Sequence, residues 1–353
     1  MIIKFDVGID DLLNCPADSL EEFICELSRA SMRGYHYVVI SRKVASWCME
    51  HLHLSRRDRA QLDKLHREAM ERFGFLRRAQ LVLNVAVGTT GIERFGAQEF
   101  RIGHAACIRS EFLEKPVLLV ENAASDGDFF GHILDRCRRK MGLKQLHYEI
   151  RHGGGTNIIR ESSRLLVEKR VFCVIIDSDK LSPHCGPSSV AKSVKRELAE
   201  QTCAAALLVL PCRDVENLLP IDLIEKHNIC PEYDFELFRK LERLHENREY
   251  DDVKESPLIY FDMKEGLSLK KIGGMSENSP SRKWLEVAFR EKDERPISSI
   301  SGFGDNLLTE FRKNGVAMSE FLARTQENEW WHHFAGIFCQ ALWIVAGDDP
   351  RRT

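Results

Sequence analysis

A run of apolar residues that ends in two carboxylates constrains this chain more than any other stretch. Residues 171–176 read Val-Phe-Cys-Val-Ile-Ile, a pattern rich in β-branched side chains and typical of a strand that is buried on both faces. Asp177 and Asp179 follow at once. In an open α/β sheet, ligands bind outside the carboxyl ends of the strands. The pattern therefore predicts a parallel sheet with two acids at its functional edge.

Strands and helices alternate regularly around this segment, as expected for a parallel sheet with crossover helices. Three further strands are predicted from the apolar runs at residues 117–120, 146–150 and 204–210. The fold class that we expect is α/β: a parallel, Rossmann-like sheet flanked by helices, with an N-terminal α/β section and a mainly helical C-terminal section. The predicted domains are residues 1–112, residues 113–230 for the sheet, and residues 231–353.

Composition and charge describe an ordinary globular chain. Of the 353 residues, 43% are hydrophobic and 30% are charged, and the net charge is -3. Nucleic-acid binding would therefore have to use local basic patches, because the chain has no overall positive field. The 11 scattered cysteines contain no Cys-x-x-Cys pair, which argues for a reducing compartment and against structural zinc. With no secretory leader and no membrane-spanning apolar run, the expected location is the cytoplasm, without a membrane partner.

Acids stand at three predicted strand ends, and parallel strands bring these ends to one edge of a sheet. They are Glu121 with Asp126 and Asp128 close behind, then Asp177 with Asp179, and then Glu216. Carboxylates gathered in this way repel each other unless a cation joins them, and hard oxygen ligands suit Mg²⁺ or Mn²⁺. Taken singly, each acid is equally well explained as a helix cap or a solvated side chain.

The same residues resemble a known family. A glutamate after an apolar strand (Glu121), followed by Asp-x-Asp after a second strand (Asp177 and Asp179), is similar to the signature of the TOPRIM domain. That domain occurs in topoisomerases, DnaG-type primases and small nucleases. The segment Arg-Asp-Val-Glu-Asn-Leu-Leu-Pro over residues 213–220 resembles a stretch of the OLD-type nuclease branch. The resemblance implies that residues 113–230 form a TOPRIM-like catalytic domain.

One motif departs from the pattern of that branch. The branch has Glu-Gly-x-x-Asp, whereas this chain has Asn122 in place of the glycine and one inserted residue before Asp126. Either Asp126 or Asp128 is therefore the metal ligand that the resemblance implies, and Asp126 is the nearer in spacing.

The resemblance also implies roles for the individual residues. Glu121 would bind metal or orient the attacking water, and Lys264 would neutralise charge on the scissile phosphate. The implied metal ligands are Glu121, Asp126, Asp177 and Asp179, with Glu216 holding a second ion. The alternative for Lys264 is a solvated lysine in a turn.

A glycine triplet between the second predicted strand and its helix offers a further contact. Backbone amides at Gly153, Gly154 and Gly155 could approach a phosphate of nucleic acid at the following helix N-terminus. No Gly-Lys-Ser/Thr follows, so the triplet is not an ATP-binding loop. The alternative is a tight turn that needs positive φ. Basic residues that could form a local patch with Arg213 are Arg151, Arg160, Lys192, Lys195 and Arg196.

The function that these observations predict is a metal-dependent endonuclease acting on nucleic acid, with DNA and RNA both open. Stand-alone TOPRIM proteins of this kind resemble effectors of bacterial anti-phage defence, which implies a separate ATPase or sensor as a partner and leaves a homo-oligomer open. The alternatives are a PIN-like nuclease, another metal-dependent phosphohydrolase, or a receiver-like scaffold that binds Mg²⁺ and a protein. A haloacid-dehalogenase phosphatase is disfavoured because Leu181 stands where that motif has threonine.

Overall fold

The structure, a computed structural model, places the chain in two compact units. It describes residues 1–88, 91–95, 99–200, 204–233, 235, 236, 238, 256–288, 299–324 and 329–350. Unit 1 contains Met1–Ile175, Ser193–Leu208 and Ala335–Thr353, and unit 2 contains Ile176–Lys192 and Val209–Phe334. This division differs from the three consecutive segments expected from the sequence, whose boundaries remain a prediction. A charged helix, which the sequence predicts over residues 234–250, falls almost entirely outside the described residues.

The described residues form strands and helices that alternate through most of the chain. The strands are β1 (Ile2–Phe5), β2 (Tyr37–Ile40), β3 (Val82–Ala86), β4 (Ile92–Phe95), β5 (Glu99–Gly103), β6 (Val117–Val120), β7 (Gln145–Leu146), β8 (Glu149–His152), β9 (Phe172–Ile176), β10 (Ala205–Val209), β11 (Gly266–Ser268), β12 (Ser299–Ser301) and β13 (Ala346–Gly347). The helices are α1 (Ile9–Leu13), α2 (Ala17–Met32), α3 (Arg42–His51), α4 (Arg56–Leu76), α5 (His104–Ile108), α6 (Asp128–Met141), α7 (Asn157–Val167), α8 (Ser189–Glu200), α9 (Ile221–Lys226), α10 (Leu269–Gly273), α11 (Pro280–Ala288), α12 (Leu307–Lys313), α13 (Gly315–Arg324) and α14 (Glu329–Val345).

The N-terminal section is α/β, as the sequence predicts. Its sheet has the order β2-β1-β3-β5-β4. The pairs β1–β2, β1–β3 and β3–β5 are parallel, whereas β4 runs antiparallel to β5. Helix α2 buries the side that its apolar periodicity marks, including Leu20, Phe23 and Leu27.

The second sheet has the order β10-β9-β6-β8 and contains the strand from which the sequence argument starts. Strand β6 pairs in parallel with both β8 and β9, and Val120 lies opposite Ile175. Every residue of β6 and of β9 is buried, which explains their unbroken apolar sequences. Helix α7 packs against β6, and α6 buries Phe129, Phe130 and Ile133. The prediction of an α/β fold with a parallel sheet flanked by helices is therefore confirmed.

The strand predicted at residues 146–150 differs in its bounds from the strand observed. Residues 149–152 form β8, whereas residues 145–146 form the separate strand β7 and pair antiparallel with β13. Strand β8 lies at the sheet edge and its charged side chains form ion pairs: Arg151 contacts Glu149 at 2.7 Å and Glu168 at 3.3 Å. Charged residues are common on edge strands, so the sequence of an edge strand lacks the apolar pattern from which strands are predicted.

The C-terminal residues return to unit 1. Trp343 of α14 is fully buried and its ring lies 5.7 Å from that of Phe75. Next to it, Arg72 and Asp348 form an ion pair of 2.5 Å in which each side chain is only 1% exposed. Within the described residues, none of the helices combines the length and the apolar character needed to cross a bilayer.

Candidate functional site

The loop after β9 is held in place by the loop after β10. The amides of Ser178 and Asp179 both donate to the carbonyl of Arg213, at 3.0 and 3.1 Å. The Ser178 hydroxyl donates to the carbonyl of Cys212 at 2.7 Å. Asp177 is half-buried, whereas Asp179 is exposed and adopts a left-handed backbone with φ of 53°. The two acids thus occupy different environments although they are two residues apart.

The loop after β10 contributes two buried acids from a single 3₁₀ turn, Val215–Leu218. Asp214 precedes this turn, and its amide donates to the side-chain oxygen of Asn217 at 2.8 Å. Only 8% of Asp214 and 3% of Glu216 is exposed to solvent. Buried carboxylates need compensating charge or hydrogen bonds, so their neighbours decide what this loop can do.

A second turn, Pro257–Tyr260, docks onto this loop and brings a distant part of the chain with it. The Arg213 amide donates to the carbonyl of Ile259 at 2.8 Å. The side-chain nitrogen of Asn217 donates to the carbonyls of Leu258, at 2.7 Å, and of Phe261, at 2.8 Å. The residues directly after the turn, Asp262 to Lys264, therefore come to lie beside the buried acids.

Two cations face these acids. Lys264 Nζ lies 3.2 Å from Glu216 Oε2, which accepts no well-aligned hydrogen bond among the described residues, so the contact is an ion pair. Arg213 Nη2 donates to Asp262 Oδ2 at 2.8 Å, and its Nε lies 3.4 Å from Asp214 Oδ2. We use the name acidic group for five carboxylates of unit 2 that contact one of these cations or interact electrostatically with Lys264 or Asp214. They are Asp177, Asp179, Asp214, Glu216 and Asp262.

The pKa shifts follow from burial and from this mixture of charges. Burial raises the pKa of Glu216 and of Asp214, and the nearby ammonium of Lys264 only partly opposes that rise. Burial alone would lower the pKa of Lys264, but Glu216, Asp177 and Asp214 reverse the effect and raise it above its ordinary value. The acidic group therefore acts on the lysine as a strongly negative site.

Glycines fix the backbone on either side of Lys264. Gly266 has φ of 84°, and Gly302 lies so close to the Lys264 backbone that a Cβ on it would overlap the Lys264 carbonyl. The Phe303 amide donates to the carbonyl of Met263 at 2.7 Å, and the Gly304 amide donates to the carbonyl of Lys264 at 3.0 Å. The segment of residues 301–304 thus works as a support that positions the lysine.

Glu121 and Asp126 belong to unit 1. Glu121 directly follows β6 and is half-buried. The Asp126 carboxylate caps its own π-helical turn, because Oδ2 accepts the Asn122 amide at 2.9 Å and Oδ1 accepts the Ser125 hydroxyl at 2.7 Å. Asp128 is exposed in the first turn of α6. Which of the two aspartates is a ligand, and whether Glu121 acts with the acidic group, remain predictions.

The glycine triplet directly follows β8 and is hydrogen-bonded to the end of β6. The Gly153 amide donates to the Val120 carbonyl at 2.7 Å, and the Gly154 amide donates to the Glu121 carbonyl at 2.9 Å. Gly154 and Gly155 have positive φ, of 59° and 57°. These are the features of the tight turn that was the alternative interpretation, and phosphate binding at the triplet stays a prediction.

Of the predicted site residues, the structure brings together Asp177, Asp179, Glu216 and Lys264, with Arg213 beside them. Sequence reasoning missed two further members, Asp214 and Asp262. The available signal was spacing, since each stands two residues before a predicted site residue. Within the described residues, no three or more histidine, cysteine or acidic side chains are already arranged as a set of metal ligands.

Comparison with protein-family models, with curated proteins and with solved structures gives no significant match to this chain. Its function has to be argued from the chemistry of the site.

Proposed function

We propose that the chain is a Mg²⁺- or Mn²⁺-dependent nuclease that hydrolyses phosphodiester bonds of DNA or RNA at the acidic group. One observation carries the proposal: among the described residues, five carboxylates from three loops interact with one another and with two cations, Arg213 and Lys264. Such an excess of negative charge is unfavourable where three of these carboxylates are buried. A divalent cation would relieve it, and phosphodiester hydrolysis is a reaction that divalent cations at acidic clusters promote.

The donor chemistry of the site fits this cation. All five side chains present carboxylate oxygens, which are the ligands that Mg²⁺ and Mn²⁺ prefer. Glu216 Oε2 is buried and its only close cationic partner among the described residues is Lys264. The residues that would hold the ion are Asp177, Glu216 and Asp214, and the resemblance adds Glu121, Asp126 and Asp179. When bound, the ion would supply Lewis acidity and a more acidic bound water.

The chain's own residues divide the remaining work. Lys264 carries a full positive charge at neutral pH, so it can stabilise the negative charge that develops on a phosphate but cannot serve as a base. Arg213 is tied to Asp262 and Asp214, and it orients these two acids. The support formed by residues 301–304 holds the lysine backbone, which keeps its side chain within reach of the acids.

The TOPRIM and OLD-type resemblance belongs to the same proposal. It is supported by the adjacent parallel strands β6 and β9, which are followed directly by Glu121 and by Asp177. A cytoplasmic role in anti-phage defence, with an ATPase or sensor as partner, follows from that resemblance and is proposed with it.

The test is a cleavage assay on plasmid DNA and on tRNA, with Mg²⁺, with Mn²⁺ and with EDTA. We expect the wild type to cleave one of the two substrates only with metal, and Asp177→Asn and Glu216→Gln to lose cleavage while still showing cooperative thermal melts above the assay temperature. Asp10→Asn, which changes an exposed aspartate of unit 1, is the matched control and should cleave like the wild type. A metal-independent activity, or one that survives both site substitutions, would exclude this site.

A second candidate is a metal-responsive scaffold without catalytic activity. It is favoured by the ion pair between Lys264 and Glu216, which partly neutralises the group without any metal. The two candidates separate in one experiment. Mg²⁺ binding that is lost in Asp177→Asn, together with no cleavage of either substrate by the wild type, would select the scaffold.

A further inference from the structure

A basic cavity in unit 1, remote in sequence from the acidic group, is unexplained by the proposed nuclease function. Its volume is about 400 Å³. It is lined by Arg29 and Met32 of α2, by Arg33 at the end of α2, and by Ser55, Arg57 and Asp58 at the start of α4. The volume falls in the range of small-molecule sites, which are concave and carry a few convergent polar groups. We propose that this cavity binds a small phosphorylated ligand of the size of a mononucleotide.

Three guanidinium groups line the cavity, and none of them has a strong internal partner. Arg29 pairs with Glu26 at 2.5 Å and Arg33 approaches Glu114 at 3.8 Å, but these arginines are 55% and 57% exposed. Exposed pairs of this kind contribute little to stability, so a ligand can displace them. Arg57 has no hydrogen bond or ion pair from its side chain within the described part of the chain. Guanidinium groups bind phosphate oxygens through paired hydrogen bonds, a geometry that phosphate shares with carboxylates and that chloride does not offer.

The start of α4 adds a second attraction for an anion. This helix is 21 residues long, and Ser55 caps it by accepting the Asp58 amide at 3.1 Å. The earlier amides of the first turn have no intrahelical partner, and the positive end of the helix dipole lies with them. A phosphate bound beside Ser55 and Arg57 would therefore also be attracted by the positive end of this helix.

One acid lines the same cavity and has to be accounted for. Asp58 is 6% exposed, and its Oδ2 accepts the Ser55 hydroxyl at 2.6 Å. The lining side chains thus carry three positive charges and one negative charge, and two further carboxylates, Glu26 and Glu114, pair with two of the arginines. Met32, which is 4% exposed, gives the cavity an apolar wall against which a sugar or a base could pack. These features suit a phosphate joined to a less polar body better than they suit inorganic phosphate.

The experiment is calorimetric titration of the full chain in EDTA, so that metal-dependent cleavage cannot contribute. The probes are inorganic phosphate, AMP, ATP and a short single-stranded oligonucleotide. We expect a nucleotide to bind more tightly than inorganic phosphate, and Arg57→Ala to weaken that binding by about tenfold or more, as loss of a charge-assisted contact implies. Arg59→Ala, on the same helix but outside the cavity lining, is the matched control and should bind like the wild type.

Three outcomes would overturn the proposal. They are no binding of any phosphate probe at millimolar concentration, equal weakening by Arg57→Ala and Arg59→Ala, and an oligonucleotide that binds more tightly than any nucleotide and depends on Arg57. The last result would assign the arginines to a nucleic-acid surface. Circular dichroism melts of both variants establish that the comparison is made between folded proteins. None of these outcomes depends on whether the acidic group cleaves nucleic acid.

Discussion

Replacing Lys264 by methionine tests the electrostatic account of the site without relying on activity. Methionine keeps an unbranched apolar stem of similar length and removes the ammonium group. That group lies 3.2 Å from Glu216 Oε2, and its pKa is raised by Glu216, Asp177 and Asp214 against the effect of burial. The substitution therefore leaves a buried carboxylate cluster with one of its two cations missing.

The expected size of the effect follows from the exposure of the two partners. Removing one partner of a fully buried ion pair costs about 3–5 kcal/mol of unfolding free energy. Glu216 is 4% exposed, but the Lys264 side chain is 34% exposed, so water screens part of the interaction. We therefore expect Lys264→Met to lower the free energy of unfolding by about 2–3 kcal/mol in EDTA.

Added Mg²⁺ should reverse much of this loss. An ion that binds only the folded state stabilises it by about 2.7 kcal/mol at a hundred times its Kd. Because the variant lacks the competing ammonium, its acidic group should bind Mg²⁺ more tightly than that of the wild type. Its stability should therefore rise more on titration with the metal.

The measurement is urea denaturation of the wild type, Lys264→Met and Lys283→Met, each in EDTA and in Mg²⁺. Lys283 is exposed on α11 and serves as the matched control. A Lys264→Met protein as stable as the control in EDTA would refute the electrostatic argument. A Lys264→Met protein that is destabilised in EDTA but gains no stability from Mg²⁺ would support the ion pair and refute the metal site.

Three further predictions concern the support, a buried histidine and a buried ion pair. Gly302→Ala places a methyl group against the backbone of the site lysine, so it should lower cleavage at least about tenfold and stability by about 1–3 kcal/mol, whereas Gly315→Ala, with open space around it, should leave cleavage unchanged. Burial holds the pKa of His36 well below 6.5, so the unfolded chain alone gains a proton as the pH falls through 6.5. Urea denaturation should thus show about 1 kcal/mol of stability lost between pH 6.5 and 5.5 because of His36. His36→Gln should abolish this part of the pH dependence; an unchanged pH slope in the variant would contradict the argument. Arg72→Met leaves the buried Asp348 carboxylate with only a partly exposed lysine 4.0 Å away, so it should cost about 3–5 kcal/mol in thermal or urea unfolding. Adding Asp348→Leu should recover most of the loss; a double variant no better than the single one would show that the arginine acts mainly through other contacts.

The sequence allowed the parallel sheet to be predicted because its central strands are buried on both faces. The apolar runs of β6 and β9 have no competing signal, and a strand of that kind fits only a covered sheet. The bounds of the edge strand β8 were predicted imprecisely. Its charged side chains form ion pairs, so its sequence lacks the alternation of apolar and polar residues that marks a strand. Periodicity reports burial, so it is informative for central strands and weak for edges.

The members of the acidic group could be predicted only where they follow a strand. Asp177 stands directly after a buried run, and the position of its side chain follows from the strand. Asp262 comes near Arg213 because a 3₁₀ turn docks onto a loop more than forty residues earlier in the chain, where the Arg213 amide and the Asn217 side chain donate to its carbonyls. Spacing from Lys264 marks Asp262 as a candidate, but the contact with Arg213 depends on this docking between distant segments, which no local pattern in the sequence predicts.

The chain enters unit 1 at its beginning and returns to it at its end, and this order has a consequence for folding during translation. Unit 1 is built from residues at both ends of the chain, and β13 pairs with β7 across about two hundred intervening residues. On the ribosome, unit 1 cannot be complete until residues 335–353 have emerged, so a nascent chain stalled before residue 335 would leave Phe75 and Phe130 without two aromatic rings that pack against them in the finished protein. By the same connectivity, a protease that nicks the chain inside unit 2 would leave two fragments which both contribute to unit 1, and they should stay together until a denaturant separates them.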